Sequence, residues 1–287
     1  MNACGRKTEA AADRRGYMLV ADDYGMAPGV GDGIRALLSS GRLSGTGCMT
    51  LFAEWPAQAG LLLSTPGVEA ASIGLHLTLT DFPSLTGRLP LSGLDRLPPL
   101  RKLIVASYRG GIDEAAVHAE LDAQLAAFVA ATGRLPDYFD GHQHVHFLPV
   151  VRRWLAARLP QFAASGAVPW LRGAPAVGLA ETFAVRAKVS VVWILALGFN
   201  RAMRDAGYRV YGPLAGFYDW RQPDSFAGYL AYLDRHKRAG MVVMCHPGRI
   251  DALLKARDGF IDAREVELAV LSQPDAGEAA DGRGSVR

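Results

Sequence analysis

The sequence predicts an α/β protein folded as one (β/α) barrel-like domain, a distorted TIM-type barrel of about seven or eight strands. Three observations lead there. Short apolar runs of strand character are repeatedly followed by stretches with helical spacing, the pattern of βα units around a mainly parallel sheet. The chain of 287 residues is 50% hydrophobic and 21% charged, which suits one large core. Asp22, Asp23, His76, His142 and His246 all fall at or near the C-terminal ends of strand candidates, and in barrels that end carries the chemistry. An open doubly wound sheet is the alternative architecture.

The first strand is expected at Tyr17–Ala21 (YMLVA), with its helix over Pro28–Ser40, where Pro suits a first helical turn. Gly47–Leu51 and Ile73–Leu77 are the next two strands, separated by an Ala/Leu-rich helix near residues 56–64. Asp113–Thr132 is the clearest helix: its apolar positions recur at helical spacing, and Gly133 is placed to end it. Asp137–Asp140 leads into a histidine cluster, and Leu148–Leu159 reads as the helix that follows. Val168–Arg172 and Gly216–Asp219 are weaker strand candidates, whereas Met241–Cys245 is a strong one, ending at His246-Pro247-Gly248. The domain is expected over residues 17–271. Residues 1–16 and 272–287, rich in Ala, Gly, Asp and Arg without apolar periodicity, read as loose tails.

Composition excludes several classes. A formal net charge of +3, with no Lys/Arg run interleaved with aromatics, argues against nucleic acid as a partner. Cys4, Cys48 and Cys245 are odd in number and lack a CxxC pair, which fits a reducing, cytoplasmic setting rather than a disulfide framework or a thiolate zinc site. The charged N-terminus offers no apolar signal-peptide segment. Val189–Phe199 is the most apolar stretch, about half the ~20 residues of a membrane span. It is expected as a buried helix or strand; lining a greasy pocket or touching a membrane surface is the alternative. No transmembrane segment is expected, and a homo-oligomer is compatible with the sequence.

The candidate chemistry lies in four motifs. Asp22-Asp23 places adjacent carboxylates beyond an apolar strand, where a cation or hydrogen-bond donors must offset their desolvation; a solvated turn or helix cap is the plain alternative. In extended chain the two side chains diverge, so one can bind a metal while the other faces water. Asp140-Gly141-His142-Gln143-His144-Val145-His146 carries three histidines at alternate positions, which in extended chain project to one face, and Asp140 is available to orient an imidazole. His76 sits within an apolar strand and His246 before a Pro-Gly turn; each alone reads equally as a packed residue. His118 and His236 lie in charged helical surroundings and read as surface residues. One carboxylate and two histidines would hold a divalent metal with positions open for water and substrate, whereas a closed structural zinc site would use four ligands and cysteines.

These motifs, ADDYG, GLHLTLT, DGHQHVH and MCHPG, in that order across residues 17–248, resemble those of the YdjC-like carbohydrate deacetylases. That family includes chitooligosaccharide deacetylases and a hopanoid-biosynthesis-associated member. The resemblance implies a barrel-like fold, Asp23, His76 and His142 as metal ligands, Asp22 as general base, and His246 as an acid or substrate contact. Gly141 and Gln143 depart from the Ser and His that relatives often carry, and residues 173–212 match no recognised pattern.

The expected activity is hydrolysis of an N-acetyl group from an N-acetylated sugar, an oligosaccharide or a lipid-linked N-acetylglucosamine. Metal-activated water would attack, Asp22 would take its proton and His246 would deliver one to the amine. The cofactor is one divalent metal ion, magnesium or zinc first, with manganese, cobalt or nickel also suited to Asp and His. His144 and His146 are candidate substrate contacts, and Tyr24, Trp55, Tyr218 and Trp220 candidate sugar-stacking aromatics. A lipid-linked substrate would add membrane association to the cytoplasmic setting. Two other functions share the pattern: a metal-dependent phosphoesterase or amidohydrolase, for which Arg249 is the only anion clamp apparent beside a motif, and a non-catalytic carbohydrate-binding barrel.

Overall fold

The computed structural model describes residues 15–88, 96–259 and 261–273. Most of the two expected tails, residues 1–14 and 274–287, lies outside the described residues. Eight parallel strands form one sheet: β1 Met18–Tyr24, β2 Gly45–Cys48, β3 Ser72–Leu77, β4 Tyr138–Gly141, β5 Trp170–Arg172, β6 Val210–Tyr211, β7 Leu214–Ala215 and β8 Val242–Cys245. Their order is β6-β5-β4-β3-β2-β1-β8-β7. The curl brings β6 and β7 to the two sides of a seam, which the chain leaving β5 fills: Gly173 N–H donates to the Tyr211 carbonyl (2.7 Å) and Leu214 N–H to the Ala174 carbonyl (3.0 Å). The result is a nearly closed α/β barrel.

Helices wrap the outside: α1 Pro28–Ser39, α2 Trp55–Leu63, α3 Leu100–Arg109, α4 Glu114–Thr132, α5 Pro149–Ala164, α6 Phe183–Leu195, α7 Phe199–Ala206, α8 Phe226–Arg235, α9 Ala252–Arg257 and α10 Asp262–Leu271. The local signals act as expected. Asp113 caps α4 by accepting from Ala116 N–H, and Gly133, left-handed, ends it.

Strand alternation sorts the core into two parts. Leu19, Ala21, Ile73, Leu75, Phe139, Leu171 and Val243 face the helices in the large apolar layer. Met18, Val20, Tyr138, Trp170 and Val242 form a separate cluster. This second set plugs the barrel: the Tyr138 and Trp170 rings stack at 4.3 Å, and a Cβ on Gly74 would fall 2.4 Å from the Tyr138 ring.

Two expectations are corrected. Residues 216–219 are not a strand; β7 ends one residue earlier, because Gly216 has φ of +107° and its Cβ position lies 2.2 Å from the Met244 carbonyl oxygen, so the chain turns there. The apolar 189–199 stretch is helical but only partly buried, through Val189, Ala196 and Phe199. It forms the end of α6 and the turn into α7, with Val191, Trp193, Ile194 and Leu197 exposed.

Candidate active site

The alternation that sends Val20, Gly74, Tyr138 and Trp170 inward sends the residues two positions on, Asp22, His76, Asp140 and Arg172, into the next layer toward the C-terminal mouth. Register keeps them level: His76 pairs with Asp140, and Phe139 with Leu171 next to Arg172. All four are buried. Arg172 grips Asp22 with both terminal nitrogens, Nη1 to Oδ2 at 2.7 Å and Nη2 to Oδ1 at 2.5 Å, and Nη2 also lies 2.5 Å from Asp140 Oδ2. Asp140 Oδ1 bonds His76 Nδ1 at 2.7 Å. Asp140 therefore orients an imidazole, as expected of it, but one on the neighbouring strand. Gly47 leaves room for that pair, since a Cβ there would stand 3.2 Å from His76 Nδ1 and 3.3 Å from Asp140 Oδ1.

Asp23 diverges from Asp22 through a left-handed backbone (φ 68°) at an irregularity in the β1–β2 pairing. Its Oδ2 accepts from Arg264 Nη2 (2.7 Å), which also bonds Asp258, while its Oδ1 points to His142 Nδ1 (3.2 Å) and His76 Nε2 (3.5 Å). Burial pushes the Asp23 carboxyl up, but Arg264, with His142 and His246, overrides it and holds the group well below the usual range. For His76, burial lowers the imidazole, yet Asp140, Asp22 and Asp23 raise it to about 9.

The residues fit a divalent cation. Ligand atoms of Asp23, His76 and His142 all lie within 4.8 Å of one another. His76 Nδ1 is occupied by Asp140, which leaves Nε2 facing the cluster. Four carboxylates, Asp22, Asp23, Asp140 and Asp258, meet two guanidiniums, Arg172 and Arg264, so negative charge stays in excess even with His76 protonated. A second grouping, Asp22, His76 and Asp140, is equally tight, but both of its carboxylates are already engaged by Arg172.

His246 completes the centre, its Nε2 3.9 Å from Asp22 Oδ2 and its ring edge-on to Trp220 at 4.4 Å. Burial draws its imidazole down to about 4 against the pull of Asp23 and Asp22. Its backbone N–H donates to Glu267, whose other oxygen accepts from Tyr218 Oη (2.6 Å). Burial pushes the Glu267 carboxyl up to about 7, with those two donors opposing. Asp22, Asp23, His76, His142, His246 and Arg264 border a cavity of about 550 Å³, whose walls include Phe82, His144, Val185, Lys188, Val189, Val192, Phe217, Tyr218, Trp220 and Arg221.

The five residues expected to carry the chemistry thus converge, and His144 and Trp220 line the cavity beside them. His146 and Tyr24 do not: His146 is 1% exposed against Phe147 and Phe199, and Tyr24 is fully buried with its hydroxyl on the Gln58 carbonyl (2.7 Å). Trp55 is likewise core, bonded to the Ala127 carbonyl. The histidines separate because residues 142–147 coil into 3-10 turns, with Gln143 and His144 left-handed, so alternate positions no longer share a face. Arg249 is exposed and does not line the cavity, whereas Arg172 and Arg264, not anticipated, hold the two aspartates. Arg172 carried a readable signal, standing two positions after the inward Trp170 at a strand end. Arg264, on α10, carried none.

Fold and site define a (β/α) barrel hydrolase-like centre, with acidic and imidazole side chains gathered at the C-terminal ends of the strands. The family described as YdjC-like protein matches residues 18–281, and the chain belongs to that family. A chitooligosaccharide deacetylase from Yersinia enterocolitica is 31% identical over 257 residues, covering 88% of this chain and 89% of the relative. One from Yersinia pestis is 29% identical over 256 residues at the same coverage. Among solved structures, an Enterococcus faecalis V583 protein with a suggested role in cellobiose-phosphate cleavage superimposes with a TM-score of 0.63 at 21% identity, over 94% of this chain and 95% of that one.

Proposed function

We propose that the protein is a metal-dependent deacetylase that hydrolyses the N-acetyl group of an N-acetylated sugar, an oligosaccharide or a lipid-linked N-acetylglucosamine. The observation that carries this reading is the meeting of Asp23, His76 and His142 around one point, beside an Asp22 held by Arg172 and within 3.9 Å of His246. The names of the Yersinia relatives support the substrate class. A divalent ion held by Asp23, His76 and His142 supplies Lewis acidity toward the acetyl carbonyl and the attacking water.

The chain's own groups then divide the proton work. Arg172 fixes the Asp22 carboxylate by two hydrogen bonds, and each oxygen keeps a further lone pair for the proton of the attacking water. His246, drawn down to about 4 by burial, starts as a neutral imidazole. It therefore acts as a relay: it accepts a proton from the Asp22 side and passes it to the departing nitrogen as the C–N bond breaks, leaving acetate and a free amine. Trp220 and Tyr218 supply flat walls for a sugar ring. A phosphoesterase reading is weaker, because Arg172 and Arg264 are each committed to two carboxylates instead of standing free to clamp phosphate.

Acetate release from N-acetylglucosamine compounds, with metal content measured on the same samples, tests the assignment. Asp22→Asn should retain metal and lose about 10²- to 10⁴-fold in turnover, whereas His142→Ala should lose metal. Normal metal content and turnover in both variants would overturn it.

A further inference from the structure

Large apolar side chains that stand in solvent gather on α6 and the turn after it: Phe183 is 87% exposed, Ile194 56%, Val191 55%, Leu197 52% and Trp193 44%. Phe183, Ala187, Val191 and Ile194 recur at i, i+4, i+8 and i+11, so they share one stripe. The opposite edge of the helix, Val185, Val189 and Val192, lines the cavity. The helix is thus apolar on two sides, and folding uses only one of them. An exposed apolar patch of this kind marks an interaction surface.

The charge around the stripe identifies the partner. Arg186 and Lys188 are exposed on α6, which carries no acid, and Arg201 and Arg204 are exposed on α7, where Asp205 pairs with Arg201 at 3.6 Å; Glu181 precedes α6. Hydrocarbon on one face, a Trp at its flank and surrounding cations make up a helix that lies in the interface of an anionic bilayer. By length and composition Phe183–Ala206 resembles a membrane-crossing helix. The chain breaks at Ala196–Gly198, however, where Gly198 is left-handed, and α6 alone has 13 residues against the ~20 of a span. With its other side against the barrel, it lies along a membrane and does not cross it.

We propose that the α6 stripe is a docking face for an anionic lipid surface, and that docking brings the cavity mouth, with Lys188 on its rim, to the level of the headgroups. The inference rests on the exposure and charge of this arm and holds independently of the deacetylase reading. Flotation of the full chain with mixed phosphatidylcholine–phosphatidylglycerol vesicles tests it without reference to catalysis. The protein should float with the anionic vesicles, less so in high salt. The triple variant Phe183→Ser/Ile194→Ser/Leu197→Ser should lose about tenfold or more in partitioning while unfolding at an unchanged temperature. Absence of flotation, or equal flotation of the variant, would overturn the proposal. So would a dimer that the triple variant converts to monomer, since the stripe would then be a subunit contact. If the variant does not fold, Ile194→Ser alone is used, with the same expected direction and the same overturning result.

Discussion

The barrel mouth and α6 lie on two sides of one cavity and handle solvent in opposite ways. At the mouth the chain buries charge: Asp22, Asp23, Asp140, His76, Arg172 and Arg264 are nearly inaccessible, and each has a partner of opposite sign. Along α6 it exposes hydrocarbon, with Phe183 almost free of neighbours. Burying ions is costly unless geometry and hydrogen bonds compensate, and exposing apolar surface forgoes stability that burial would contribute. Both regions depart from what folding alone favours, and both border the cavity.

The comparison is most easily broken at Arg172. Arg172→Met should destabilise the protein by about 3–5 kcal/mol in chemical denaturation, because Asp22 and Asp140 would be left buried without their cation. A loss below about 1 kcal/mol, typical of an exposed pair, would mean that the network is not closed from water.

Next in size is a pH effect behind the site. The Glu267 carboxyl stands at about 7 in the fold, above its ordinary 4.5, so its contribution is complete below pH 4.5 and is lost as pH rises through 7. His246 runs the other way: held at about 4 against an ordinary 6.5, it contributes above 6.5 and loses that contribution as pH falls through 4. The two oppose each other in wild-type protein, and Glu267→Leu should separate them. Its cost in stability should be greatest in acid and shrink by on the order of 3 kcal/mol above neutrality. Urea denaturation of both proteins across that range measures it, and a cost independent of pH would show that burial does not perturb the group.

The smallest effect belongs to α6. Ile194→Ser removes a large apolar side chain yet should change folding stability by no more than about 0.5 kcal/mol, since the side chain meets solvent. A core-sized loss of about 2 kcal/mol or more would place it under other structure and dissolve the contrast.

Much of the fold was legible because burial writes itself into local pattern. The strands of the barrel's central run appear as apolar segments, and α4 announces both of its ends through Asp113 and Gly133. The short strands β6 and β7, two residues each, carry too little pattern to be read. The extended reading of the histidine cluster failed because left-handed geometry at Gln143 and His144 is set by the packing of the turn, which separates His142 and His144 from His146. The aromatic Tyr24 gave no sign of whether it would meet sugar or core, since both uses ask for the same side chain.

The sequence by itself determined that Asp22, Asp23, His76, His142 and His246 would stand at strand ends, because alternation and βα repetition are local properties and a barrel collects such ends on one face. Only the tertiary structure decided which cations hold the aspartates. Arg172 lies 150 residues from Asp22 and Arg264 lies 241 from Asp23. No periodicity relates positions so distant; their pairing follows from strand order and register. It likewise decided that the helix holding most of the apolar 189–199 stretch would turn one face outward, since hydrophobicity states what water disfavours and not which surface will cover it.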